Sequence, residues 1–503
     1  MVRAIFLLAL LLPSLSLSAS NFPRPASLEP AIQFWIKVYT QVSTNQGYVH
    51  DDETLSVIYE VIDLPPTASR EVRNQQIDAA IKRVRGALHS LGQGKRSGLN
   101  ATEKAVLASW PEGTTSRTFA QAAENVRFQT GQSDRFKEGL VRSGQWKPHI
   151  RAVLAKYELP QELEVLPHVE SSFNPFAYSK VAAAGMWQFM PATAREYMRV
   201  DQVIDERMDP FISSDGAARL LKTNFRVTGT WPLALTGYNH GAGGISRAAK
   251  ALGTTDIDVI VRNYKGPAFG FASRNFYASF LAALEIDRNP GRYVGQVQLD
   301  EPTDYDVVTV QEYVSAQALA REAGISIEEL KMHNPALLAP VWQGEKYIPQ
   351  NYPIRVPAAQ LRQSLDRTVA SLSGGGRFSQ QKPDRTHRIA QGDSLSTIAR
   401  RYGVSVSSLM SVNGLRNHSI QAGKTLLLPG NLGREPLSAE QIAVTRARLT
   451  GGQPTEYTIR SGDSLWSIAR RFKVSTQQLV AWNDISAKKP IKPGQKLRVA
   501  SAG

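Results

Sequence analysis

The sequence predicts an α+β chain of several domains, mainly helical through its middle and ending in small βααβ modules. Three observations carry this. At 503 residues the chain outgrows a single hydrophobic core, so roughly three or four folded units are expected. A stretch near the C-terminus recurs at an offset of 70 residues. Residues 148–290 read as short helical segments punctuated by proline. Hydrophobic residues at 42% and charged residues at 20% are ordinary for soluble globular proteins, and past the N-terminus no apolar run is long enough for a membrane span. With no cysteine, disulfides, a thiol nucleophile, thiolate metal sites and a lipidated N-terminal cysteine are all excluded, so stability must come from packing.

Taken in order, residues 1–20 have the pattern of a secretory signal. Arg3 gives the positive start, Ile5 to Leu12 the apolar stretch, and Ser16, Ser18, Ala19 and Ser20 a small-residue cleavage zone. Residues 21–147 hold amphipathic patches at Ile32–Val42, Leu55–Ile62 and Val72–Leu88, expected to be a helical extension that wraps or precedes the next domain, with no chemistry of its own. Residues 148–295 follow as the domain that carries the chemistry. A fainter unit spans 303–357, then come a Gly-rich polar linker at 371–384, one module at 385–430, a second spacer at 431–454 and a second module at 455–501.

The duplication is specific. Of the nineteen positions starting at His387 and at Tyr457, eleven are identical, including Gly-Asp-Ser-Leu and Ile-Ala-Arg-Arg. Each copy then places an Asn, Asn413 or Asn483, and closes on Gly-x-x-Leu at Gly423–Leu426 or Gly494–Leu497. Asp393 or Ser394, and Asp463 or Ser464, stand where a helix N-cap belongs, before Leu395, Ile398 and Ala399 and their twins Leu465, Ile468 and Ala469. The pattern resembles the LysM module. That resemblance implies a shallow groove for N-acetylglucosamine units, made by Gly392, Asp393, Ser394 and Leu395 with Ile420, and by Gly462, Asp463, Ser464 and Leu465 with Ile491. For Asp393 and Asp463 themselves, a capping role is the favoured reading. Ala318 to Ser326 with Asn334-Pro335 echoes the repeat without its Gly-Asp-Ser signature, as a degenerate LysM-like domain to which no glycan site is assigned.

In the central domain, Leu163, Leu166 and Val169 give a helix an apolar face that ends at Glu170, beside Ser171, Ser172 and Phe173. A carboxyl group in apolar surroundings has a raised pKa, as a general acid at neutral pH requires. His168-Val169-Glu170-Ser171-Ser172-Phe173, Gly185-Met186-Trp187-Gln188-Phe189-Met190-Pro191 and Ala234-Leu235-Thr236-Gly237-Tyr238-Asn239-His240-Gly241 resemble, in order, the three motifs of the lysozyme-like lytic transglycosylases of glycoside hydrolase family 23. Among these the chain resembles the membrane-bound murein transglycosylases of the D type, which also carry C-terminal LysM modules. The resemblance implies cleavage of the β-1,4 bond between N-acetylmuramic acid and N-acetylglucosamine without water, leaving a 1,6-anhydromuramoyl end. Glu170 would make both proton transfers. Ser171 would orient its carboxyl, Gln188 and the backbone near Met186 would hold substrate amides, Tyr238 and Asn239 would line the cleft, and Tyr277 would stand near the acid. Trp187 and Phe189 are expected in the core rather than as sugar platforms. Glu158, Glu162 and Glu164 fall on other faces or are separated from Glu170 by Pro167, and read as solvated charges.

The remaining expectations concern partners and place. Lys and Arg number 59 against 44 Asp and Glu, a net charge of +15, which favours a polyanionic partner. Dispersed basic residues and an export signal point to peptidoglycan and not to nucleic acid. His168 and His240 lack a His-Glu-x-x-His spacing, so neither metal nor cofactor is expected. The chain is expected to be a monomer, exported to the periplasm and held at the wall, and membrane-associated only if its signal is retained. Two alternatives are a hydrolytic muramidase and a non-catalytic peptidoglycan-binding scaffold.

Overall fold

The computed structural model describes residues 21–372, 375–383, 386–428 and 454–500, apart from 461–462, 473–475, 484 and 486–490. The expected signal, Gly462 and nearly all of the 431–454 spacer lie outside the described residues.

The main body is built around a helix, Phe271–Arg288, that is apolar almost all round and therefore buried almost all round, with Phe276, Tyr277, Phe280, Leu281, Ala282, Ala283 and Ile286 in the core. Against it pack Glu29–Thr40 and Trp231–His240, on which Ser133–Lys156 and Pro210–Thr228 pack in turn, all joined in one hydrophobic cluster. The extension expected at 21–147 is thus divided. Its first helix contributes Ile32, Phe34, Trp35, Ile36, Val38 and Tyr39 to the core of the main body, and the expected boundary at 147/148 falls inside the Ser133–Lys156 helix.

Between them lies an α/β subdomain, which corrects the all-helical expectation. An antiparallel sheet sets Gln46–Asp51 between Ile58–Asp63 and Val126–Thr130. Ile58–Asp63, most of the 55–62 patch, is strand because it pairs with Gln46–Asp51; Tyr59, and Val57 just before the strand, are buried against the Arg70–Gly92 helix, whereas Val61 is exposed.

Residues 305–372 form a third unit with its own core. Tyr305–Thr309 pairs antiparallel with Pro353–Pro357, and between them run the helices Ala316–Ala323, capped by Ser315, and Ile327–Met332, capped by Ser326 and Glu329. The unit runs past 357, because Leu365 and Thr368 of the Leu365–Ser371 helix, and Leu372 just after it, close its core.

One side chain ties the three βααβ units together. Asn334 donates to Leu330 O at 2.7 Å and Arg355 O at 2.8 Å and accepts from Arg355 N at 3.0 Å. Asn413 does the same with Leu409 and Leu427, and Asn483 with Leu479 and Arg498. One carboxamide satisfies the end of the second helix and locks it to the second strand.

The third unit is fastened to the main body. Ile204 pairs with Leu337, Asp205 N donates to Ala336 O at 2.8 Å, and Leu338 N donates to Val203 O at 2.9 Å. Arg355 pairs with buried Asp209, whose other oxygen caps the Pro210–Thr228 helix, and its guanidinium stacks on Phe211 at 4.4 Å. Arg355→Ala strips Asp209 of the one cation paired with it among the described residues, so we expect a loss of about 3–5 kcal/mol in the chemical denaturation of the full chain. Arg355→Met, which keeps the stacking volume, should recover little of that loss if the charge pair and not the packing is what matters.

Candidate active site

The segment leading to Glu170 is a 3-10 turn, Gln161–Val165, running into a five-residue helix, Leu166–Glu170. Pro167 falls in the first turn of that helix, where its missing N–H leaves no bond unmade. His168 anchors it: the ring is fully buried, stacked on Phe136 at 4.6 Å, edge-on to Phe173, and 3.0 Å from Asp287, which also takes Lys147. The other nearby carboxylates are engaged elsewhere. Glu162 pairs with Arg288, and Glu164 is buried in ion pairs with Arg151 and Lys147, not solvated as expected.

Just past Glu170 the backbone turns through left-handed conformations at Ser172 (φ 53°) and Phe173 (φ 55°), and again across the site at Gln188 (φ 48°). Such strain persists only where surroundings impose it. At Ser172 the guanidinium of Arg142 does so, donating to the Ser172 carbonyl at 3.0 and 2.7 Å; at the Gln188 turn it is Arg207, almost fully buried, held by both oxygens of Asp205 at 2.8 and 2.7 Å, and donating to the carbonyls of Ala182 at 2.6 Å and Phe189 at 2.9 Å. Gly185, at φ 78°, lies so close that an added Cβ would sit 1.7 Å from Arg207 O.

Glu170 is half-buried in the midst of this, and no hydrogen-bond donor reaches its carboxylate among the described residues. Burial alone pushes its pKa up to about 8. Burial raises the phenols of Tyr238 and Tyr39, and the Glu170 charge adds to it, so both rings lie within electrostatic reach of the carboxylate. The Tyr238 hydroxyl donates to Trp187 O at 2.8 Å. Tyr39 is buried, stacked on Phe136 at 4.8 Å, and comes from a helix to which the sequence reading gave no chemistry. Its signal was present: Ile32, Trp35, Ile36 and Tyr39 share one helical face.

The other expected residues divide. Ser171 does not bond the carboxyl; its hydroxyl donates to Met186 O at 2.7 Å and accepts from Asn174 N at 3.1 Å, tying the Glu170 turn to the 186–188 turn. Gln188 has its amide nitrogen fixed on Gly185 O at 2.8 Å. Asn239 is exposed, with Oδ1 accepting from Ser273 at 3.0 Å. Tyr277 is fully buried and its hydroxyl donates to Pro23 O at 2.7 Å, so it lines no open surface, a correction to its expected part in holding substrate. Trp187 and Phe189 lie in the core, Trp187 donating to Ser214 at 2.9 Å.

In the C-terminal modules Ser394 and Ser464 are the helix caps. Asp393 and Asp463 do something else: each clips its loop to the first strand, Asp393 through His387 and Ala390 N, Asp463 through Tyr457 and Arg460 N. Leu395 is buried in its module's core and is corrected from groove to core, whereas Leu465, Ile420 and Ile491 are partly buried. Gly392, at φ 89°, makes the turn before Asp393.

Residues 148–261 match the family model of the transglycosylase SLT domain, and 387–429 and 457–500 that of the LysM domain. The chain is 30% identical over 357 residues to the membrane-bound lytic murein transglycosylase D of Escherichia coli (strain K12), covering 69% of this chain and 74% of that one. It is 29% identical over 191 residues to the N-acetylmuramoyl-L-alanine amidase sle1 of Staphylococcus aureus (strain USA300), covering 38% of this chain and 52% of the other, so it spans about half that protein's length. Among solved structures, an inactive mutant of the lytic transglycosylase Slt of Pseudomonas aeruginosa matches at 19% identity and a TM-score of 0.25, covering 30% of this chain and 25% of that one, a similarity on which nothing is built.

Because folding raises the Glu170 pKa from 4.5 to about 8, the folded chain keeps a proton that the unfolded chain has lost between those values. Stability should fall as pH rises through that window. Glu170→Gln removes the effect, so its stability gain over the parent chain should be near zero at pH 4 and up to about 4–5 kcal/mol at pH 8.5 in urea denaturation. Equal gains at both pH values would show that Glu170 is not held in a desolvated site.

Proposed function

The chain belongs to the family of membrane-bound lytic murein transglycosylases, and on that premise we propose that Glu170 carries both proton transfers of its reaction. It is a peptidoglycan lytic transglycosylase, which cleaves the β-1,4 bond between N-acetylmuramic acid and N-acetylglucosamine and closes a 1,6-anhydromuramoyl end, and its LysM domains bind the wall. The observation that carries the role of Glu170 is a carboxyl group with a pKa near 8 for which burial is the only cause.

A carboxyl group of that pKa is protonated at neutral pH. It gives its proton to the glycosidic oxygen as the bond from that oxygen to the muramoyl anomeric carbon breaks. The carboxylate left behind has no cation to stabilise it, so it is a strong base for its type. It takes the proton from the muramoyl C6 hydroxyl as that oxygen bonds to the anomeric carbon, and Glu170 ends as it began. The nucleophile belongs to the substrate, so neither a positioned water nor a second carboxylate is needed. That no other charge perturbs Glu170 favours this single-acid scheme over a two-carboxylate hydrolase.

The supporting roles are then specific. Ser171 holds the Glu170 and Met186 turns together. With its nitrogen fixed, Gln188 offers a carbonyl oxygen to a substrate N–H, while Asn239, with its oxygen engaged, offers its amide N–H groups. Tyr238 and Tyr39 keep the acid dry. In the modules, the loop at Gly392–Ser394 with Ile420, and Asp463 and Ser464 with Leu465 and Ile491, form the glycan grooves. We read residues 1–20 as an export leader and the mature chain as a periplasmic monomer held by its modules.

Glu170→Gln should lower the release of soluble muropeptides from sacculi by roughly 10²–10⁴-fold. Mass spectrometry of the wild-type products should find ends one water lighter than reducing ends. Truncation after Pro383 should weaken sacculus binding, measured by pull-down, far more than turnover of short soluble glycans; equal loss of both would remove the tether role of the modules.

A further inference from the structure

The segment expected to be a flexible linker is instead bound. Arg377–Phe378 forms a strand against Tyr313–Val314, in the loop after the first strand of the third unit, and Ser315 N donates to Gly376 O at 2.9 Å. Farther along, the same segment lies on the loop before the second strand. Phe378 stacks flat on Tyr347, ring centroids 3.9 Å apart and planes 8° from parallel. The carboxamide of Gln381 brackets the Tyr347 peptide, accepting from its N at 2.7 Å and donating to its O at 3.0 Å. Lys382 donates to Gly344 O at 2.6 Å and stands 4.7 Å over the Tyr347 ring. Residues 375–383 thus form a strap across both loops of the unit. In the two LysM modules no further strand pairs with the corresponding loop among the described residues.

The chemistry of the strap's contacts is informative. A flat apolar ring covers an aromatic face, and one amide, offering an acceptor and a donor, meets a backbone peptide. An N-acetylated sugar presents the same pair of features: an apolar ring face, and an acetamido group with one carbonyl and one N–H. The strap is also weakly held, since only Gly376 within it is buried and its strand is two residues long. We propose that the groove of the third unit, floored by Tyr347 and edged by Tyr313–Ser315, is a binding site for N-acetylhexosamine chains, masked by the chain's own residues 375–383. The proposal takes from the peptidoglycan reading only the source of such sugars; the groove chemistry stands apart from Glu170.

The test is hydrogen exchange by mass spectrometry on the full chain, with the soluble N-acetylglucosamine pentamer as probe, so that protection is read peptide by peptide and the two LysM modules report separately. In F378A/Q381A the pentamer should slow exchange across 311–316 and 344–348 at a concentration at least about tenfold lower than in the parent chain, because the site no longer waits on the strap. Adding Y347A should abolish that protection. Q381A alone, a milder change, should give an intermediate shift. Unchanged exchange around the Asn334–Arg355 clamp without ligand verifies the fold. Protection confined to the LysM modules in every variant would overturn the proposal, and equal protection in the parent and F378A/Q381A would overturn the masking. Muropeptide release by the same variants reads Glu170 chemistry independently, so failure of the groove and failure of the activity assignment are distinguishable.

Discussion

Everything around the site depends on keeping one carboxyl group dry and without a partner. Glu170 gains its pKa from burial alone, so it cannot also be positioned by a salt bridge or a donor, since either would stabilise its charge and lower that pKa. Its place must be fixed through the backbone. His168, two residues earlier, is clamped between Phe136, Phe173 and Asp287, and Ser171, one residue later, is tied to Met186. Opposite, the strained turn at Gln188 is held by the guanidinium of Arg207, in a space that only a glycine at 185 leaves open.

That arrangement extends beyond the catalytic helices. Asp205, which orients Arg207, is also where the third βααβ unit adds its backbone bond from Ala336, and Asp209, four residues on, takes Arg355 of the same unit. The third unit is therefore a buttress built into the body. Its kinship with the LysM modules rests on the triple use of Asn334, Asn413 and Asn483, and its difference on the missing clip: Val314 is buried where the modules place Asp393 and Asp463. A shared scaffold has been turned to two uses, a fixed support and an outlying wall binder.

Much of this was legible in the sequence, and the limits have physical causes. Glu170, Gln188, Tyr238 and Asn239 sit in three short ordered motifs, and their expected grouping came from the resemblance of those motifs to the lytic transglycosylases. Tyr39 enters this core, and the carbonyl of exposed Pro23 reaches Tyr277, from more than a hundred residues away, and nothing local records such contacts. The Tyr277 hydroxyl, expected near the acid, faces Pro23 for that reason. The 55–62 segment misled because a short apolar run fits helix and strand alike until its sheet partners are known. The strap misled because a Gly-rich, polar composition describes both a free linker and a strand that borrows its order from Tyr347 and Tyr313.

The central claim is that a single desolvated acid drives cleavage by proton transfer to and from the substrate itself, with no water consumed. Running the reaction on intact sacculi in oxygen-18 water and analysing the new muramoyl ends by mass spectrometry tests it most directly. The account predicts anhydro ends free of oxygen-18, formed at a rate that falls as pH rises through about 8, where Glu170 loses its proton. New ends that carry one oxygen-18 atom would contradict it, because the nucleophile would then be water.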